Sequence, residues 1–299
     1  MIRRTATLTF VFLLLAGTGF AQVKLEHKLT EGLKFTQELI STIDQTLTIA
    51  GNETETKVEV QTMAEATIGK RDEDGKLPVK EKIKSLQVSI KGTAGEYRFD
   101  SANPDDRGGS QLELLREVHK ALASRTVTTV YGKDNRVAEI KCDGDLLLSK
   151  VSEFDPEYLK EIANQGLDVI PSNPVKKGDS WERTAKVDLG AGQMMQFKTN
   201  YTYEGTVEKD GQKLDKISSK TLSVEFSLAD DSPLPISLKE SKLKVKESKG
   251  VVLFDRKLGR IVESKETIRV AGGLTFVANG QELPSELDLK METEIALKR

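Results

Sequence analysis

Nucleophilic chemistry has one candidate in this chain, Ser180 in the triplet Gly178-Asp179-Ser180, a block that some esterases use around their catalytic serine. Such a serine needs a base to take its proton, ordinarily a histidine, and that arrangement places the histidine near the C-terminus. Both histidines, His27 and His119, precede Ser180, so the order is broken and the triplet reads as a turn leading into Trp181. One cysteine, Cys142, and two histidines are too few and too scattered for a typical zinc site. The pair Asp105-Asp106 could attract Ca²⁺, but the stretch from Ser101 to Ser110 lacks the ordered acidic spacing that assembles about six to eight oxygens, and it reads as a solvated turn. Asp143 with Asp145, and Asp230 with Asp231, offer paired carboxylates. Among 47 acidic residues adjacency alone carries no information. No G-x-S-x-G, phosphate loop, dinucleotide fingerprint or H-E-x-x-H occurs. The expectation is therefore no catalytic residue, no metal and no cofactor, with ligand-binding residues that short motifs do not reveal.

Composition narrows the partners. Forty-five basic residues against 47 acidic ones leave a net charge of −2, which argues against nucleic acid. With 31% charged and 5% aromatic residues the surface is mixed and solvated, without a broad apolar docking face. Arg3 and Arg4 precede a short apolar core from Phe10 to Ala16, followed by Gly19 and Ala21. This is the pattern of a secretory signal peptide cut after Ala21, its core too short to cross ~30 Å of hydrocarbon. No cysteine follows the core to carry a lipid, and no later stretch is apolar enough to span a membrane, so the destination is periplasmic or secreted. The lone Cys142 permits no intramolecular disulfide and reads as an inert thiol at a strand end.

Most of the chain alternates with period two, the mark of strands with one buried face. From Leu33 to Ile49 the odd positions are mainly apolar, and after a turn at Gly51-Asn52 the even positions from Thr54 to Ile68 continue one face. A charged loop, Lys70 to Lys76, leads to strands at Ile83 to Ile90 and Tyr97 to Asp100. Leu112, Leu115, Val118 and Leu122 recur at helical spacing and predict a helix over Gln111 to Ala123. A second helix, from Pro156 to Asn164, follows Leu146-Leu147-Leu148 and is opened by Ser152 or Asp155. Further strands are predicted at Phe197 to Glu208, at Ile217 to Leu228 with Leu222, Val224, Phe226 and Leu228 inward, at Leu238 to Val245, and from Leu287 to the C-terminus.

Two stretches, Arg125 to Cys142 and Gly250 to Val270, share one design: β-branched and aromatic runs around a turn of Gly, Asp, Asn or Lys. Each closes one half of the chain, and Pro171-Ser172-Asn173-Pro174 reads as an extended linker between the halves. The predicted fold is α+β, mainly β: two curved antiparallel meander sheets from a duplicated unit, with two short helices. Residues 1–21 form the signal peptide, 22–170 the first unit and 171–299 the second.

The stretches Tyr97-Arg98-Phe99-Asp100-Ser101-Ala102-Asn103-Pro104 and Pro174-Val175-Lys176-Lys177-Gly178-Asp179-Ser180-Trp181, with the repeated hairpin, resemble an uncharacterised family of exported bacterial proteins best known from planctomycetes. The resemblance implies export and a β-rich fold, and brings no activity with it. Curved sheets with a covering helix can hold an apolar ligand, so the leading expectation is a non-catalytic binding or carrier protein whose partner is an apolar small molecule or lipid. The competing class is a structural component of the envelope that meets another protein.

Overall fold

The computed structural model describes residues 22–93, 95–103, 113–143, 156–190, 192–230 and 232–298. The expected signal peptide, the Asp105-Asp106 loop, Asp145, Leu146-Leu147-Leu148, Ser152, Asp155 and Asp231 lie outside the described residues. In chain order the elements are β1 (Lys34–Ile49), β2 (Asn52–Ile68), β3 (Leu77–Gly92), β4 (Gly95–Asp100), α1 (Glu113–Ser124), β5 (Thr126–Tyr131), β6 (Val137–Cys142) and α2 (Pro156–Leu167). The second half contributes β7 (Ser180–Gly190), β8 (Gln193–Lys209), β9 (Gln212–Leu228), β10 (Ser237–Ser241), β11 (Lys244–Asp255), β12 (Arg260–Ala278) and β13 (Gln281–Lys298). Three tight turns, Ala50-Gly51, Asp210-Gly211 and Asn279-Gly280, have positive φ at both residues. That geometry matches the right-handed twist of the strands they join.

The class is α+β and mainly β, but the two expected sheets are one. All 13 strands share a single antiparallel sheet, ordered β6-β5-β3-β2-β1-β13-β12-β11-β9-β8-β7, with β4 paired to β3 and β10 to β12. The halves meet where β1 pairs with β13 from Thr36↔Lys298 to Ile49↔Ser285. Both strands are long and carry Leu or Ile along one face, and apart they would present two apolar edges open to aggregation.

This arrangement overturns the duplication. The two hairpins form in the predicted register, with Val127 opposite Cys142 and Asp255 opposite Arg260. Their places differ: β5–β6 is the outer edge, whereas β11–β12 lies inside the sheet with β12 beside β13. Turn and strand signals encode a hairpin; they do not encode its position among the other strands.

Two local differences also have physical causes. Leu222, expected inward, is 47% exposed, because the pairing jumps from Lys198↔Ser223 to Thr199↔Thr221 and leaves Leu222 as the extra residue of a bulge. The same jump turns Ile217, Ser219 and Thr221 inward on the other side of it. β12 runs on through Gly272, where a hairpin ending at Val270 was expected. Gly272 has φ +153, and a Cβ there would lie 2.4 Å from the Lys242 carbonyl oxygen, so glycine here admits a crossing backbone rather than ending a strand.

The sheet's two edges are capped by one helix. The Asn164 side chain of α2 donates to the Val137 carbonyl and accepts from the Val137 amide on β6, while the Gln165 side-chain carbonyl accepts from the Lys186 amide on β7. Just beyond the helix, the Asp168 and Val169 carbonyls accept from Arg183 Nε and Trp181 Nε1 of β7. Side-chain amides thus take the place of a missing strand. The sheet curls until β6 and β7 flank α2, which ties both edges at these positions. A strap from residue 22 to 33 lies against one end of the sheet, through Val23↔Val175, Lys28 N to Gly259 O and Gly32 N to Ile68 O.

The curl has one inner face. Met195, Phe197, Phe226, Val270, Phe276 and Leu289 pack at one end of it. Leu25, Ile170, Tyr203, Ile217, Val252 and Phe254 pack beneath the strap. Ile68, Leu77 and Val79 form a neighbouring group, and Leu115 and Leu122 of α1 cover Leu86, Val88, Tyr97 and Phe99.

Candidate functional site

Directly opposed residues in an antiparallel pair share a face, so the register can be followed across the whole sheet. One inner row reads Trp181, Tyr201, Ser219, Gly250, Glu266, Thr293, Ser41, Val60, Val88, Phe99. The next reads Tyr203, Ile217, Val252, Ser264, Ile295, Leu39, Thr62, Leu86. Bulky residues stand at the ends of both rows, and the centre of the first is small or polar. The central positions Ser41, Leu39, Thr293, Ile295, Ser264 and Glu266 are only half-buried. The floor of the curl is scooped rather than filled.

Ionisable groups on this face report enclosure. Glu266 is half-buried, and burial alone holds its carboxyl above the ordinary range. Glu81, opposite Ala66, is exposed, and its carboxyl is raised by the same cause through the protein atoms around it. Burial pushes the Tyr201 phenol up to about 12, with the Glu266 charge adding and Arg183 opposing. Tyr131 rises to about 12 by burial, with Glu81 adding and Arg260 opposing. On the opposite face Lys265, Glu59 and Arg269 are shifted by their ion-pair partners instead.

Glu266 gives a pH prediction. Its folded pKa stands above the ordinary 4.5, so its contribution to stability is fully present below that value and is lost as pH rises through the raised one. Glu266→Gln mimics the protonated form. The variant should melt on the order of 2 °C above the native protein at pH 7 and level with it at pH 4, read by thermal unfolding at both.

The second feature is a cleft of about 880 Å³ at the strap end of the central strands. Pairing of β12 with β13 stops at Glu263↔Ala296, three residues after β12 begins. The cleft opens there, lined by Leu33, Phe35, Leu258 and Leu297, with Lys34, Lys213, Lys257 and Lys298 at its rim and Glu65 and Asp255 among them. Arg260 also lines it. This residue is 9% exposed, its guanidinium lies 4.2 Å from the Phe35 ring centroid, and its Nε has no hydrogen-bond partner among the described residues. Burial holds its pKa below the ordinary value.

The residues singled out in the sequence do not converge. The Ser180 hydroxyl on edge strand β7 pairs with Thr202 Oγ1 at 2.9 Å. His27 Nε2 meets the Leu167 carbonyl at 3.3 Å, and His119 Nδ1 meets the Tyr97 hydroxyl at 2.8 Å. Trp181 stacks on Tyr201 at 6.0 Å, as a turn leading into a packed tryptophan requires. Cys142 ends β6 half-buried, opposite Val127. Among the described residues no group of three or more His, Cys, Asp or Glu could hold a metal ion, and no helix is long and apolar enough to cross a membrane. Sequence reasoning missed Arg260. It follows a hairpin turn, where a cation is ordinary, and what buries it comes from Phe35 and the cleft walls far away in the chain.

Comparison with known proteins yields distant likenesses. A lipovitellin structure concerned with lipid–protein interactions is similar over 91% of this chain at 11% identity and a TM-score of 0.45, and the chain spans 26% of that protein. A protein described as exported, with a YmcC-like fold, from Bacteroides fragilis aligns over 93% of this chain and 100% of its own at 10% identity and a TM-score of 0.20. An outer membrane channel from Pseudomonas putida F1 aligns over 92% and 98% at 6% identity and a TM-score of 0.24. At such TM-scores none of these bears on function. No curated protein matches the chain. Residues 74–214, from the loop before β3 into β9, match the model of a family of unknown function, DUF6263, which is what just under half of the chain is similar to.

Proposed function

We propose that the protein is a non-catalytic binding or carrier protein, acting outside the cytoplasm, that holds an apolar ligand on the inner face of its curled sheet. The observation that carries this reading is the scooped centre of that face. Ser41, Thr293 and Ser264 leave room where Leu39, Ile295 and Val60 remain available to an apolar guest. Ligand pockets are typically apolar hollows with a few placed polar groups, which is the composition of this face. The apolar surface left half-covered here supplies the driving force for such a guest, at roughly 25 cal/mol per Å² removed from water.

Native mass spectrometry of protein purified from its own cell envelope tests the reading. A mass adduct that organic extraction removes and that identifies as a lipid or other apolar molecule is the expected result. A bare protein that also fails to enhance the fluorescence of an added apolar probe sinks it, and co-purification with a stoichiometric protein partner would favour a structural role instead.

A further inference from the structure

We propose that Arg260 is the head-group anchor of a ligand made of one acyl chain ending in an anionic head. The proposal rests on the binding reading above and deepens it. A guanidinium is rarely left nine-tenths buried without an anion, since an unpaired buried charge is costly. Arg260 is 9% exposed and its Nε points to no acceptor among the described residues. The acidic neighbour across the hairpin, Asp255, does not serve it: Asp255 Oδ1 accepts from the amides of Lys257 and Leu258. No ion-pair partner of Arg260 occurs among the described residues, and the neighbouring Tyr131 phenol, its pKa raised to about 12, is neutral at physiological pH. Phe35 holds the guanidinium from one side, its ring centroid 4.2 Å away, and the terminal nitrogens are the part that a planar, two-oxygen acceptor in the cleft would meet.

The cleft takes the head and the start of the chain, and Leu297 at its wall stands on the same face of β13 as Ile295, so the remainder of the chain runs onto the scooped rows. Leu33, Phe35, Leu258 and Leu297 supply an apolar wall beside the guanidinium. A volume of about 880 Å³ falls among those that hold a single ligand of drug size, roughly 300–1,000 Å³, and so suits one chain rather than a two-tailed lipid. A carboxylate or a phosphate monoester could provide the head, and the two differ in charge and source.

The test compares a dansyl-labelled undecanoic acid, the corresponding alcohol and the corresponding alkyl phosphate, each titrated into the full chain by fluorescence. The native protein should bind at least one anionic probe about tenfold or more tighter than the alcohol, as a hydrogen bond to a charged group allows. The tighter of the acid and the phosphate identifies the head. Arg260→Gln should erase the preference while keeping alcohol binding, and Arg260→Lys should restore part of it, with circular dichroism confirming that each variant folds. Equal binding of acid, phosphate and alcohol by the native protein overturns the anchor and leaves the carrier reading standing. If no probe binds, the carrier reading itself fails. The comparison on native protein decides the matter even where a variant does not fold.

Discussion

Phe254→Ala should cost about 3–5 kcal/mol of stability, the largest single loss expected from a side-chain truncation in this protein. Phe254 is 0% exposed. Its cluster draws together Leu25 and Val23 of the strap, Ile170 and Val175 from the connection between α2 and β7, Tyr203 of β8, Ile217 of β9 and Val252 of β11. The His27 ring meets it edge-on with centroids 5.8 Å apart. These neighbours sit on separate segments, several of them fixed in hydrogen-bonded ladders, so the walls of the new cavity cannot close on one another. Losses at the upper end of the range follow from that rigidity. Thermal unfolding should show a fall on the order of 10 °C. Hydrogen exchange should accelerate first at the Val23 and Lys28 amides, whose bonds to Val175 and Gly259 tie the strap down. Phe254→Leu keeps most of the volume and should cost about 1.5 kcal/mol or less, whereas Leu189→Ala, at a position 42% exposed, should be nearly neutral. A Phe254→Ala loss below about 1 kcal/mol would show that the strap and sheet are not joined through this residue.

The strands were legible because their signal is local. In β1 Phe35, Leu39, Ile43, Leu47 and Ile49 share one parity, in β13 Leu287, Leu289, Met291, Ile295 and Leu297 do, and in β8 Phe197, Tyr201 and Tyr203 are separated by polar residues. Helix α1 was legible for the same reason, through Leu115 and Leu122. What escaped is long-range. Nothing in β1 states that its second neighbour is β13, about 250 residues later, and period two is satisfied as well by an edge strand as by a central one. Strand β7 was not foreseen although Trp181, Ala185, Val187 and Leu189 alternate along it, because Arg183 interrupts their face and Ala185 adds little to it. The role of α2 was equally hidden: Asn164 and Gln165 look like a helix ending, and they serve as the pairing partners of two strands at opposite ends of the sheet. Arg260 and the inner rows depend on the joined sheet and therefore could not be read before it.

Ser41→Trp should reduce binding of every apolar probe by at least about tenfold while leaving the fold intact, because a large side chain placed at the centre of the scooped row occupies the guest's volume. Ser41 lies between Thr293 of β13 and Val60 of β2 on the inner face and is half-buried, so an indole has open space to enter rather than a packed wall to displace. Thr42, one residue on, pairs with Glu59 and Glu292 on the opposite face. Thr42→Trp therefore adds the same bulk to the same strand without entering the hollow, and its binding should match the native protein. Both variants should melt within about 3 °C of native, a shift of roughly 1 kcal/mol. The readout also separates the two parts of the site. Blocking the hollow at Ser41 should weaken the acid and the alcohol alike, because it removes contact with the chain they share, whereas removing the charge at Arg260 should weaken only the anionic probes. If Ser41→Trp binds as the native protein does, the ligand does not lie on the inner face, and the cleft at Arg260 must hold it alone.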